Sequence, residues 1–165
     1  MSDIWIGIDP GAKGAICILN PGGLINFIDL SERPRLIAQQ LNHFKLNNEI
    51  QDVYIEDVHS LYGMSAKSNF TFGWNVGMPH TIFDCLNIPL KKVQPKVWQK
   101  HVGVTAKNSK ENKNAIKQNV ASLCAKHYPA ANLYTPRGRL LDGRSDALMI
   151  AYYGYLLHLQ ERKET

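Results

Sequence analysis

Ile4-Trp5-Ile6-Gly7-Ile8-Asp9-Pro10-Gly11 is an apolar run that ends on a carboxylate. Side chains alternate across a strand, so Ile4, Ile6 and Ile8 share one face while Trp5, Gly7 and Asp9 share the other. Pro10-Gly11 ends the strand and leaves Asp9 at its tip. Two more strands follow, Ala15 to Asn20 and Leu24 to Leu30, with Pro21-Gly22-Gly23 between them as a hairpin turn. The three opening strands are therefore expected to form an antiparallel meander.

Working outward, the pattern predicts a helix from about Arg33 to Leu46 and a fourth strand, Val53 to Val58. A helical crossover makes that strand parallel to the first. A glycine-interrupted helix, Lys67 to Leu86, a short strand, Leu90 to Gln94, and a Pro95-initiated helix carrying Trp98 come next. A longer helix lies near Ser109 to His127, and the last element runs from about Leu141 to Leu159. No repeat, low-complexity tract or linker divides the chain, so residues 1–165 are read as a single domain. The order of elements is that of the ribonuclease H-like fold, an α/β architecture with a central five-stranded mixed sheet flanked by helices. In that fold the first and fourth strands are neighbours at the centre. Asp9 and Glu56, from Tyr54-Ile55-Glu56-Asp57-Val58, would then project into one cleft that the terminal helix closes.

Asp142-Gly143-Arg144-Ser145-Asp146-Ala147-Leu148 opens that helix. Its two acids, at i and i+4, lie one above the other. Ala147, Ile150, Ala151 and Gly154 form an apolar, small-residue stripe for packing on the sheet. Two like charges one turn apart destabilise an empty helix by a few tenths of a kcal/mol, and more as a cleft closes on them. A divalent cation compensates best, and carboxylates without His or Cys suit Mg²⁺ or Mn²⁺ rather than zinc. Taken alone, the pair fits equally well a helix cap at Asp142 and a Lys or Arg partner for Asp146. Asp57 is adjacent to Glu56 and must point to the opposite side of the strand, which makes it a structural carboxylate. His59 is read as a surface or core histidine.

The chain has 165 residues, 44% of them hydrophobic, enough for one substantial core. No apolar stretch approaches the roughly 20 residues that span a bilayer, and the N-terminus lacks a signal-peptide pattern, so a cytoplasmic protein is expected. Cys17, Cys85 and Cys124 have neither disulfide nor zinc spacing and are expected to be buried, reduced thiols. Net charge is +5, but eleven of the nineteen basic residues fall between Cys85 and Leu141, where Glu111 is the one acid. If cations neutralise Asp9, Glu56, Asp142 and Asp146, ten acids face nineteen bases, a formal +9. Lys107 to Lys117 alone reads rather as a solvated helix face, but coupled to a carboxylate cluster the charge points to a polyanionic partner, nucleic acid.

Ile6-Gly7-Ile8-Asp9-Pro10-Gly11-Ala12-Lys13-Gly14, Tyr54-Ile55-Glu56, Val93-Gln94-Pro95-Lys96-Val97-Trp98-Gln99-Lys100 and Asp142-Gly143-Arg144-Ser145-Asp146-Ala147-Leu148 together resemble the RuvC-type Holliday-junction resolvases. The resemblance runs from about Ile4 to Leu157. It is closest to the small phage-encoded and organellar members, in the Asp-Gly-Arg and Pro-x-x-Trp-x-Lys segments. Bacterial members place their last two acids three apart, whereas here they are four apart. The resemblance implies a homodimeric crossover junction endodeoxyribonuclease that nicks two opposed strands of a four-way DNA junction and leaves 5′-phosphates. If phage-encoded, it would act in the host cytoplasm.

Such chemistry uses two Mg²⁺ per active site, with Mn²⁺ as a substitute, roughly 4 Å apart. Asp9 would bridge them, Asp142 and Asp146 would hold the ion on the attacking side, and Glu56 would hold the other. No other small-molecule cofactor and no membrane partner is implied. Lys91, Lys96, Lys100, Lys107, Lys110, Lys113 and Arg144 are the candidate phosphate clamps on branched DNA. Within Phe70-Thr71-Phe72-Gly73-Trp74, Phe70 is the choice for stacking on a splayed base, and the apolar segment Phe70 to Leu86 is the expected dimer surface. Three rivals remain. The Asp9-Pro-Gly turn also resembles the phosphate loop of the actin and sugar-kinase group, but 165 residues leave no room for the second domain those proteins need. A ribonuclease H acting on RNA-DNA hybrid would use the same metals, and a non-catalytic junction-binding protein would lack the full acid set.

Overall fold

The computed structural model describes residues 1–59, 63–104 and 113–164. The opening run forms β1 (Ser2–Asp9), followed by β2 (Ala15–Asn20) and β3 (Leu24–Asp29). Asn20 builds the hairpin: its Oδ1 accepts the Gly22 N–H at 2.7 Å and its carbonyl accepts that of Gly23 at 3.0 Å. Gly23 sits at φ +135°, a conformation that only glycine adopts without strain. The chain continues through α1 (Pro34–Asn47), β4 (Asn48–Glu56), α2 (Ala66–Cys85), β5 (Lys91–Val93), α3 (Pro95–His101), α4 (Lys113–His127) and α5 (Asp142–Glu164). Pro34 and Pro95 each open a helix, where the missing N–H costs nothing. Ser65 caps α2 by accepting the Ser68 N–H at 3.1 Å.

The sheet order is β3-β2-β1-β4-β5. β1, β2 and β3 form the antiparallel meander, and β4 runs parallel to both β1 and β5. β1 is therefore central, and its residues from Ile4 to Ile8 are buried on both faces. Ile4, Ile6 and Ile8 join Ile16, Ile18, Val53 and Ile55 beneath α1 and α2, where Ile37, Leu41, Ile82 and Phe83 meet them. The opposite face carries Ala15, Cys17, Leu19 and Tyr54 against α5, with Trp98, Val120 and Cys124 completing that layer. This is the ribonuclease H-like α/β fold.

Three expectations are corrected. β4 starts at Asn48 rather than Val53, because Asn48, Glu49 and Ile50 pair with Ser2, Asp3 and Ile4. A register shift follows, so that Ile4 faces Ile50 while Trp5 faces Asp52. That bulge hides the period-two pattern. α5 continues past Leu159 to Glu164. Cys17 and Cys124 are buried, but Cys85, in the last turn of α2, is exposed. No helix among the described residues is long and apolar enough to cross a membrane.

Candidate active site

β1 and β4 stay in register up to Ile8 and Ile55, so Asp9 and Glu56 leave the sheet side by side at its C-terminal edge. The pleat places them on the face covered by α5. That helix crosses β1 at Gly7, where an added Cβ would lie 2.1 Å from the Ala147 carbonyl oxygen and 2.3 Å from the Ala151 nitrogen. Only a residue without a side chain permits this approach, and it brings Asp146 over the end of β1. Gly143 repeats the device at the start of α5, since its added Cβ would lie 2.1 Å from the Lys13 carbonyl oxygen. The loop that follows Asp9 thus seats the helix end carrying Asp142.

The four carboxylates feel one another. Burial, then the nearby charges of Asp9, Glu56 and Asp142, push Asp146 up to about 8. Burial likewise lifts Glu56 to about 7, opposed by the Trp98 indole N–H, which donates to Glu56 Oε1 at 2.9 Å. Asp9 rises to about 6 through burial, although its Oδ1 accepts the Gly11 N–H at 3.0 Å. Asp142 is the exception: burial opposes its ionisation, but a hydrogen-bonded ion pair with Lys117 outweighs this and lowers it. Raised values of this kind, caused mainly by burial and added to by neighbouring acids, mark a site that wants positive charge.

Four carboxylates with no sulfur or imidazole among them are a donor set for a hard divalent ion such as Mg²⁺ or Mn²⁺. Among the described residues, no group of three acidic, His or Cys side chains is already gathered into an ion cage.

A cleft of about 840 Å³ opens beside the acids. Glu56, Asp146, Lys117, Lys96, His59 and Phe72 are among the residues that line it. Of the candidate phosphate clamps, Lys96 stands on this wall and Lys100 is exposed one turn further along α3. Arg144 is engaged elsewhere. Its Nε and Nη2 donate to both oxygens of Asp29, at 2.9 and 2.7 Å, and its guanidinium lies over Phe27. Lys91 pairs with Asp52 and lies against Tyr54, two residues short of Glu56 on β4. Lys107 and Lys110 lie outside the described residues, as does the side chain of Lys113. Phe70 is 80% exposed on the first turns of α2, while Phe72 faces the cleft. Asp57 lies apart from the acid cluster, within 3.7 Å of Lys92 and 3.6 Å of His59.

Two members of the site lay beyond the candidates drawn from sequence. Lys117 belongs to the same helical stripe as Val120, Ala121 and Cys124, all buried, so its α4 spacing already placed it on the inward face. Trp98 is fully buried, and its single polar atom reaches Glu56 across 42 positions in sequence.

No family model matches the sequence, and no curated protein sequence does either. Solved structures do match. RuvC of Thermus thermophilus, in complex with a Holliday junction substrate, superposes with a TM-score of 0.62 at 14% identity, covering 96% of this chain and 95% of that one. A second Thermus thermophilus RuvC structure gives 0.56 at 15% identity, with 96% of each chain covered. The yeast mitochondrial Holliday junction resolvase Ydc2 gives 0.54 at 18% identity, over 94% of this chain and 80% of that one. The fold is thus of the ribonuclease H-like class. Within that class the fold is similar to those of these three structures.

Proposed function

We propose that this protein is a metal-dependent, structure-selective endonuclease that resolves four-way and other branched DNA junctions by paired, symmetric nicking. The observation that carries the reading is the meeting of Asp9, Glu56, Asp142 and Asp146 from β1, β4 and α5 at one sheet edge, in a fold shared with proteins described as junction resolvases. Asp9, Glu56, Asp142 and Asp146 would together hold Mg²⁺, or Mn²⁺ in its place. The chemistry such ions would supply there is an activated water and neutralisation of charge on the departing 3′-oxygen. The chain's own residues orient and exclude: Trp98 fixes Glu56, α5 closes one wall, and Lys96 and Lys100 meet flanking phosphates.

Symmetric nicking calls for two sites. A homodimer across α2 fits, where Phe70 and Trp74 are exposed beside a shallow groove of about 350 Å³ lined by Pro34, Gly77, Met78 and Ile82. The four-residue spacing of the α5 acids favours the phage and organellar branch of the family. The reading is tested by offering the protein, with Mg²⁺, a labelled immobile four-way junction, linear duplex DNA and an RNA-DNA hybrid. Cutting confined to the junction supports it. Preferred cutting of the hybrid would make the protein a ribonuclease H, and binding without cutting under any divalent ion would leave an architectural role.

A further inference from the structure

Asp142 is the acid at the mouth of the cluster, and one of its oxygens already accepts from the Lys117 ammonium. The charge of Lys117 also reaches Asp146 and Asp9. The lysine is well placed for this, because Val120, Ala121 and Cys124 hold α4 against α5, with the Cys124 thiol 3.5 Å from the Ser145 carbonyl. One ammonium thus acts on three of the four acids, and it lines the same cleft as Glu56 and Asp146. The pair is also easy to exchange, since the two side chains remain 45% and 30% exposed. Ion pairs this exposed contribute about 0–1 kcal/mol. A divalent cation bound by several carboxylates at once would outcompete it.

We infer that Lys117 is an internal counter-ion for the carboxylate cluster, and that its ammonium gives up Asp142 to a divalent cation and turns to the cleft. This rests on the metal-dependent reading of the site. The freed Lys117 then stands where the backbone of a bound nucleic acid must come, so cation loading and phosphate binding are coupled through one side chain. Lys13 provides the comparison: its charge also acts on Asp142, but it donates no hydrogen bond to that carboxylate among the described contacts.

The test is a thermal melt of wild type, Lys117→Met, Lys117→Arg and Lys13→Met in EDTA and across a Mg²⁺ titration. Lys117→Met should lower the melting temperature in EDTA and reduce the Mg²⁺ concentration for half-maximal stabilisation by about two- to fivefold, the equivalent of one exposed ion pair. Lys117→Arg should restore wild-type behaviour, and Lys13→Met should leave the midpoint near wild type. Equal midpoints in Lys117→Met and wild type, or equal shifts in Lys117→Met and Lys13→Met, would overturn the counter-ion role while Mg²⁺ still stabilised every protein. If Mg²⁺ stabilised none of them, wild type included, the metal-dependent reading itself would fail and the inference with it.

Discussion

The Trp98 indole N–H donates to Glu56 Oε1 at 2.9 Å, which ties α3 to the tip of β4. Trp98 is fully buried, so the ring cannot swing away, and Glu56, which lines the cleft, is held through one of its oxygens. The bond favours the ionised carboxylate against the burial that would keep it protonated.

Replacing this donor tests its importance. Trp98→Phe keeps most of the volume and removes the N–H. It should lower stability by about 1–3 kcal/mol, through the lost bond to a charged group and a small cavity. Mg²⁺-dependent junction cleavage should fall about 10- to 100-fold, as for other groups that orient metal ligands. Urea unfolding and cleavage kinetics on the same sample check both, and unchanged kinetics would show that Glu56 needs no such support.

Gly7 and Gly143 let α5 approach the sheet. In each case an added Cβ would meet backbone at 2.1 Å, which cannot be relieved by a side-chain rotation. Gly143→Ala should leave a folded protein destabilised by about 1–3 kcal/mol, with the α5 acids displaced and cleavage lost. Gly7→Ala, in the central strand with two backbone clashes, should cost more. Denaturant midpoints of the two variants give the order directly.

The raised acids make stability depend on pH in an unusual direction. Asp9, Glu56 and Asp146, at about 6, 7 and 8, keep protons that the unfolded chain has already released. Where the folded state binds more protons, stability falls as pH rises, here from the ordinary carboxylate range near about 4 up to about 8. Asp142 has the opposite sign, since its lowered value gives a contribution that is lost only in acid. In EDTA the melting temperature should therefore decline between about pH 5 and 8, and Mg²⁺ should restore it most at the upper end. A flat series in EDTA would contradict this.

Arg144 and Asp29 form a two-pronged ion pair joining α5 to the end of β3, 115 positions apart. Arg144→Gln should lower stability by about 1 kcal/mol, or about 2–4 °C in melting temperature, while junction affinity stays near wild type. A lysine cannot reproduce the fork, so Arg144→Lys should not rescue. A large loss of junction affinity at unchanged stability would return Arg144 to the phosphate clamps.

What was legible in sequence was local. The alternation through Ile4 to Asp9, the Pro21-Gly22-Gly23 turn and the positions of Asp9, Glu56, Asp142 and Asp146 at element ends all follow from periods of two and four and from turn chemistry. Partners set by tertiary packing were not legible. Nothing near Arg144 names Asp29, nothing near Glu56 names Trp98, and the Asn48-to-Gln51 extension of β4 is masked by a bulge that breaks the alternation. Lys117 lay between these cases, since its helical stripe marked it as inward-facing but not which acid it would meet.

The most direct test of the central claim is cleavage of an immobile four-way junction, 5′-labelled on each strand in turn, by wild type and Asp9→Asn with and without Mg²⁺. The account predicts nicks at symmetric positions in two opposed strands, present only with wild type and Mg²⁺, while Asp9→Asn still binds the junction. Cutting that persists in EDTA or in Asp9→Asn would contradict it, because the carboxylate cluster would then not be the catalytic centre.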